Sequence, residues 1–147
     1  MPKYALDTNV YVTAASTSEA AEPLKQFLRS HHSETFLSAV VMQELRVGAR
    51  TPSQVSALED GVIDPFTRRR RVFTPSARAF QETGRILVDL ITKDGIVYAD
   101  TKRSLVSDVL IATSCRENGV VLVTHDEDFD RIRRHLKGLR YVTPFPA

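Results

Sequence analysis

The sequence predicts an α/β fold, a short and mostly parallel central sheet of about four to five strands with helices on both faces. Three observations predict it. Short apolar runs alternate with stretches of helical period along the whole chain, the pattern of successive strand–helix–strand units. The best of those runs, VVLVT at 120–124, is apolar at consecutive positions, as a strand covered on both faces must be. Four acidic residues far apart in the chain, Asp7, Glu44, Asp108 and Asp126, each stand where a strand gives way to a helix or in the helix that follows.

KYALD (3–7) is apolar enough for a buried first strand, and the mixed stretch VYVTAAS after it predicts a helical turn or two. A helix follows from about Ser18 to Arg29, with Ala21, Leu24, Phe27 and Leu28 at helical spacing. Ser18 is its candidate cap, and Pro23 could push the start later. HHSET is a turn and TFLS (35–38) a second strand; Ser38 can cap a helix carrying Val41, Met42, Leu45 and Ala49 as its apolar stripe. TPSQ (51–54) restarts a helix with proline in its first turn, ending near Gly61 or Asp64-Pro65. RRRVFT (69–74) is a short strand. Thr74 or Ser76 then begins a long helix holding Phe80, Ile86, Leu87, Leu90 and Ile91, stopped around Lys93-Asp94-Gly95. GIVYADTKR (95–103) is a loop, Ser104 caps an apolar helix to Asn118-Gly119, and VVLVT follows. DFDRIRRHLKG is a short basic helix and RYVTPF a last strand, with an irregular tail at 143–147.

A chain of 147 residues with 42% hydrophobic and 26% charged residues reads as a single domain, 1–147, able to bury a core without staples. One cysteine, Cys115, excludes an internal disulfide framework and a cysteine-rich zinc site. No secretory pattern opens MPKYALDTNV and no apolar run is long enough to span a bilayer, so a cytoplasmic protein is expected. Removing the four candidate acids from the net charge of +2 leaves a body of +6, which would attract a phosphate backbone, although +2 by itself is close to neutral.

In an open parallel sheet, ligands bind outside the carboxyl ends of the strands, and right-handed crossovers bring the following helices to that edge. Asp7, Asp108 and Asp126 can therefore meet there. Glu44 stands about six residues past its cap, roughly 9 Å up its helix, and must reach down. Four anions share a small volume only when hard cations neutralise them. A magnesium- or manganese-dependent phosphodiester enzyme is the chemistry this pattern points to.

Each acid also has a plainer explanation. Asp7 followed by Thr8 and Asn9 could be a helix cap or Asx turn, and Asp108 a first-turn acid answering the helix dipole. In THDEDFD (124–130) the acids Asp126, Glu127, Asp128 and Asp130 exceed what capping needs, yet Arg131 stands where a calcium loop requires glycine, which excludes an EF-hand. An aspartyl-phosphate enzyme would also use a strand-end Asp7, but Asn9 replaces the second carboxylate and Lys137 is the sole candidate for its lysine. His31 and His32 are expected in solvent, His125 beside the acids and His135 on the basic helix. For gripping RNA, Lys102 and Arg103 flank the acidic edge; Arg46 and Arg116 are weaker candidates, and the Arg68–Arg71 run reads as a solvated face.

LDTN, the helix VVMQELRVGA, the run SDVLIATSCRENGVVLVT and the HDEDF after it resemble the PIN-domain ribonucleases, and more narrowly the small VapC-type toxins of bacterial toxin–antitoxin pairs. The resemblance implies that Asp7, Glu44, Asp108 and Asp126 form the family's acidic quartet, with Asp7, Asp108, Asp126 and Asp128 holding Mg²⁺ (or Mn²⁺) and Thr8, Asn9 and Thr124 supporting them. It further implies an RNA substrate, a cognate antitoxin, a homodimer within a larger toxin–antitoxin complex, and contact with DNA only through the antitoxin. A PIN-like module that binds nucleic acid or a partner without cutting is the alternative.

Overall fold

In the computed structural model, which describes residues 1–96 and 103–147, five strands form one open sheet in the order β3-β2-β1-β4-β5, every pair parallel. The strands are β1 (Tyr4–Leu6), β2 (Thr35–Ser38), β3 (Val72–Phe73), β4 (Val121–Val123) and β5 (Tyr141–Val142). All three residues of β1 and of β4 are buried, which explains why these runs show no polar alternation. The chain builds outward from β1 through β2 to β3, then crosses back to lay β4 on the other side of β1. The order therefore reverses at the β1–β4 pair, the topological switch point of the sheet.

The helices are α1 (Thr8–Ser16), α2 (Ser18–His31), α3 (Ala39–Gly48), α4 (Pro52–Leu58), α5 (Asp64–Arg68), α6 (Ala77–Thr92), α7 (Arg103–Glu117) and α8 (Phe129–Arg133). Ser38 caps α3 as its sequence predicts, its Oγ accepting from the backbone N–H groups of Val40 and Val41. Thr51 and Gln54 form a reciprocal capping box on α4. Leu6, Leu37, Leu122 and Val123 from the strands pack with Val41, Ile86, Val109, Ile111, Phe129 and Ile132 from the helices in one core. A buried hydrogen bond between Thr83 and Thr113, 3.0 Å, joins α6 to α7. None of the described helices is long and apolar enough to cross a membrane.

Several expectations change. The turn or two after β1 is a helix of nine residues. Thr17, not Ser18, caps α2, accepting from the N–H of Ala20 at 2.9 Å. Pro23 sits inside that helix; it and Glu19, whose carbonyl loses its donor, are both exposed, so water can satisfy the carbonyl. Gly61 and Pro65 do not end the helix begun at Pro52: a π-helical turn, Glu59–Ile63, carries it into α5, where Pro65 occupies a first-turn position that needs no N–H donor. The chain then turns sharply at Arg70, whose φ of 55° is a left-handed conformation more usual for glycine.

Phe80 is 58% exposed, because Ala79, Thr83, Ile86 and Leu90 define the buried face of α6 and Phe80 lies beside it. His31 is packed on Phe27 with ring centroids 4.7 Å apart and bonded to Glu34 at 3.0 Å, so it is no solvated turn residue. His135 is likewise clasped, 2.9 Å from Asp94 and 3.8 Å from Asp89. Residues 143–147 form no helix or strand, yet Phe145 packs against Phe27 at 5.3 Å.

Candidate active site

The carboxyl ends of β1 and β4 lie side by side, and the residues immediately after them make the site. Asp7 follows β1, donating its N–H to the carbonyl of Val123 at 2.9 Å. Its extended backbone leads into α1, and its side chain is 4% exposed. Oδ1 accepts from the N–H of Thr8 at 2.8 Å, and Oδ2 accepts from the hydroxyl of Thr124 at 2.7 Å. Both explanations of Asp7 thus hold together: it caps α1 and is aimed from across the switch point.

Thr124 is the hub of this edge. Besides donating to Asp7, its Oγ1 accepts from Asn9 Nδ2 at 3.3 Å and from the N–H of Asp126 at 3.0 Å. Asn9 Oδ1 in turn accepts from the N–H of His125 at 3.2 Å. Asp126 Oδ1 accepts from the N–H of Asp128 at 2.8 Å, so the loop after β4 is folded by its own acids. A buried threonine with donor and acceptor both engaged fixes the loop against β1 far better than a freely rotating hydroxyl would.

Glu44, half-buried on α3, is tied in by the hydroxyl of Thr8, which donates to Oε1 at 2.7 Å. The reach down from α3 is therefore completed by a side chain standing directly beside Asp7. Asp108 also belongs to this edge: it lies on α7, which is described from Arg103 onward, and it feels the charges of Asp7, Asp126 and Glu44.

Electrostatics ties the set together. Burial first, then the negative charges of Asp7, Asp126, Glu44 and Asp128, push the Asp108 carboxyl up to about 8. Burial also raises Asp7 above the usual carboxylate range, with Asp126 adding to it, although the bonds from Thr124 and Thr8 pull the other way. Glu44 is raised by burial and by Asp7 against the bond from Thr8. Without a counter-ion, then, the site is over-supplied with negative charge and keeps a proton on Asp108 at neutral pH.

The donor set suits a hard divalent cation, being all carboxylate oxygen with hydroxyls and an amide behind it. As the side chains lie, no three carboxylates, imidazoles or thiolates among the described residues stand in a ready chelating cluster.

Other predicted residues go elsewhere. Asp128 is exposed at the start of α8, and Asp130 leaves the site to bond Arg133 and Tyr141. Arg46 is two residues past Glu44, on the other side of α3, where Glu59 holds it by two hydrogen bonds of 2.8 and 3.1 Å. Arg116 is in the last turn of α7, at the far edge of the sheet, donating to the carbonyl of Lys137 at 3.2 Å. Neither Arg46 nor Arg116 flanks the acids. Lys102 lies outside the described residues, and Arg103 is described only as the first residue of α7. Lys137 precedes β5 and so sits at the opposite edge from Asp7, which removes the lysine an aspartyl-phosphate enzyme would need.

Fold and site together define an open, parallel α/β domain whose carboxylates gather at its switch point. The chain belongs to the PIN-domain family, whose profile matches residues 4–135; PIN domains are generally nucleases. No curated protein matches it closely enough to count as a relative. Among solved structures it is similar to DNA-bound VapBC from Salmonella typhimurium, with 26% identity, a TM-score of 0.68, and 97% of this chain and 98% of that one covered. It is also similar in fold to VapBC2 from Rickettsia felis bound to a promoter DNA fragment (21% identity, TM-score 0.68, 95% and 97% covered). FitAcB from Neisseria gonorrhoeae shares the fold as well (17% identity, TM-score 0.68, 96% and 97% covered).

Proposed function

We propose that this PIN domain is a metal-dependent endoribonuclease acting in the cytoplasm as the toxin of a VapBC-type pair, inhibiting growth by cutting RNA. The observation that carries this reading is the convergence at the switch point: Thr124 and Thr8 orient Asp7 and Glu44, while Asp108 feels the charge of both and of Asp126.

In this reading Asp7, Asp108 and Asp126, with Asp128 at the rim, hold Mg²⁺, and Mn²⁺ can substitute. A cation held by these residues would supply Lewis-acid chemistry, lowering the pKa of an attacking water and offsetting charge on the phosphate and the leaving oxygen. The chain's own residues do the positioning. Thr124 and the N–H of Thr8 fix both oxygens of Asp7 so that it does not swing on binding. Glu44, anchored by Thr8, orients the attacking water and accepts its proton. Asp108 would have to be ionised to hold a cation, so binding would be favoured by rising pH. The family resemblance implies products with 5′-phosphate and 3′-hydroxyl ends.

The same reading supplies partners. A small antitoxin would cover the acidic edge and carry the complex to DNA, consistent with the DNA-bound complexes whose fold this chain shares. A second copy of the chain would pack on the outer face of α6, where Phe80 and Val88, 58% and 57% exposed, stand two turns apart with Gly84 between them.

The test is expression of the chain alone in bacteria, with and without Asp108→Ala, followed by sequencing of RNA 5′ ends. Growth arrest with new 5′-phosphate ends that the substitution abolishes is the expected result. Arrest that survives Asp108→Ala without new ends would instead assign a PIN-like module that binds without cutting.

A further inference from the structure

The opposite edge of the sheet carries a second charged feature that the acidic site does not use. An open groove of about 580 Å³ is lined by Lys25, Leu28, Arg29, His32 and Arg69. Lys25, Leu28 and Arg29 come from the last two turns of α2, His32 from the short turn between α2 and β2, and Arg69 from the turn that leads into β3. These places precede strands, so the groove lies at the amino-terminal edge, away from the carboxyl ends that bear Asp7 and Asp126. The guanidinium of Arg71 donates to the carbonyl of His32 and ties the arginine turn to the end of α2. That bond brings Arg69, remote in sequence, beside Arg29.

The cations here are uncompensated. Among the described residues Arg46, Arg85, Lys93 and Arg133 pair with carboxylates, whereas Lys25, Arg29, Arg68, Arg69 and Arg70 enter no salt bridge. Of the acids nearest in sequence, Glu34 is bonded to His31 and Glu22 stands one turn before Lys25. Lys25 and Arg29 are one helical turn apart on the same face.

We propose that this groove is a second, non-catalytic RNA site that grips the phosphate backbone without reading sequence. Guanidinium groups meet phosphate oxygens two at a time, which suits an arginine-lined wall. No Phe or Tyr lines the groove and His32 is its single aromatic ring, so stacking is secondary to the three cations that can meet phosphates. An acidic protein partner fits less well, because the groove is shallow and open and offers no enclosed pocket for an anchoring side chain. The substrate class rests on the proposed ribonuclease function; the site itself does not, because backbone binding needs neither metal nor cleavage. A long RNA held at both edges would be retained between cuts, whereas a short one would reach the acidic edge alone.

The test is fluorescence anisotropy of the full chain with a labelled single-stranded RNA of about 30 nucleotides, in EDTA so that nothing is cut. Reversing Lys25, Arg29 and Arg69 together to glutamate should weaken binding at least tenfold and reduce the salt slope by about 2, three contacts at about 0.7 each. Lys25→Arg with Arg29→Lys and Arg69→Lys keeps the charge and should keep the salt slope, losing less than threefold in affinity with the guanidinium forks, and an unchanged circular dichroism spectrum of the glutamate variant separates lost charge from lost folding. Unchanged affinity and slope in the glutamate variant would overturn the site. So would displacement of the RNA by poly-glutamate at equal charge concentration, which would assign the groove to an acidic protein. A chain that cuts no RNA yet shows the tenfold loss would keep this site and discard the ribonuclease reading.

Discussion

The two edges of one sheet carry opposite charge, and they do so differently. At the carboxyl edge Asp7, Glu44, Asp108 and Asp126 are partly or wholly buried, and threonine hydroxyls hold the carboxylates of Asp7 and Glu44. At the amino edge Lys25, Arg29 and Arg69 are exposed. Helix dipoles favour this polarity, since helices begin at the carboxyl edge and end at the amino edge: anions gather where helices start, cations where they stop. The dipole suffices for the amino edge, where water solvates each charge. It does not suffice for the acidic edge, where Asp108 keeps its proton up to about 8. The difference separates solvated cations on a surface from carboxylates that share one buried field.

Four experiments break or sharpen that contrast. The largest effect is expected from Asp7→Asn, which leaves an acceptor for Thr124 and so preserves the fold. RNA cleavage should fall on the order of 10³-fold, as loss of a principal transition-state group does, with an unchanged circular dichroism spectrum. EDTA should produce the same loss in the parent protein, reversed by Mg²⁺ or Mn²⁺. Parental cleavage rates in the substituted chain would falsify the assignment.

Next is Asp108→Asn, read as stability against pH. The folded carboxyl titrates near 8 and the unfolded one near the ordinary aspartate value of 3.8, so between those pH values the folded state holds a proton that the unfolded state has released. Stability of the metal-free parent therefore falls as pH rises through this window. The asparagine variant should be more stable at pH 8 by about 1–3 kcal/mol, and the gain should vanish below pH 4. Denaturant titrations at several pH values measure it, and a gain independent of pH would show that the acids do not share one field.

Thr124→Val keeps the shape of the hub and removes its hydroxyl, leaving Asp7 Oδ2 and the N–H of Asp126 without their partner. A loss of about 1–2 kcal/mol in thermal or denaturant unfolding is expected, together with slower cleavage. An unchanged midpoint would mean that the loop after β4 is held by something other than Thr124. The smallest effect on stability, within about 0.5 kcal/mol, is expected from Phe80→Glu, because that side chain touches neither edge and is exposed. Sedimentation should instead show a shift toward monomer; a parent that is already monomeric would sink the proposed α6 contact.

Much of this fold was legible because its strands announce themselves. A run such as VVLVT between Gly119 and HDED has no helical period and no polar face, so it reads as a strand buried on both sides. Caps were legible where a hydroxyl precedes an apolar stripe, as at Ser38. Helix extents were less so. Gly61 and Pro65 have the character of stops, yet a π-helical turn runs through Gly61 and leads into α5 with Pro65 in its first turn, where proline is tolerated, and Ile63 is buried. The exposure of Phe80 has a related reason. Spacing alone gives the face of a helix only to within a residue, and the core selected Ala79 and Thr83.

The chain by itself determined the alternation of elements, the four acids at strand–helix junctions and the excess of positive charge over the rest of the surface. These are local facts, fixed by periodicity, turn chemistry and residue type. Tertiary structure alone decided which side chains meet. It made Thr124 the hub that aims Asp7, used Thr8 to hold Glu44, took Arg46 away to Glu59, and set Arg69 beside Arg29 across a gap of 40 residues. The reason is physical: a hydrogen bond or a shared field depends on separations of a few ångströms in space, and strand order, not position along the chain, sets those separations.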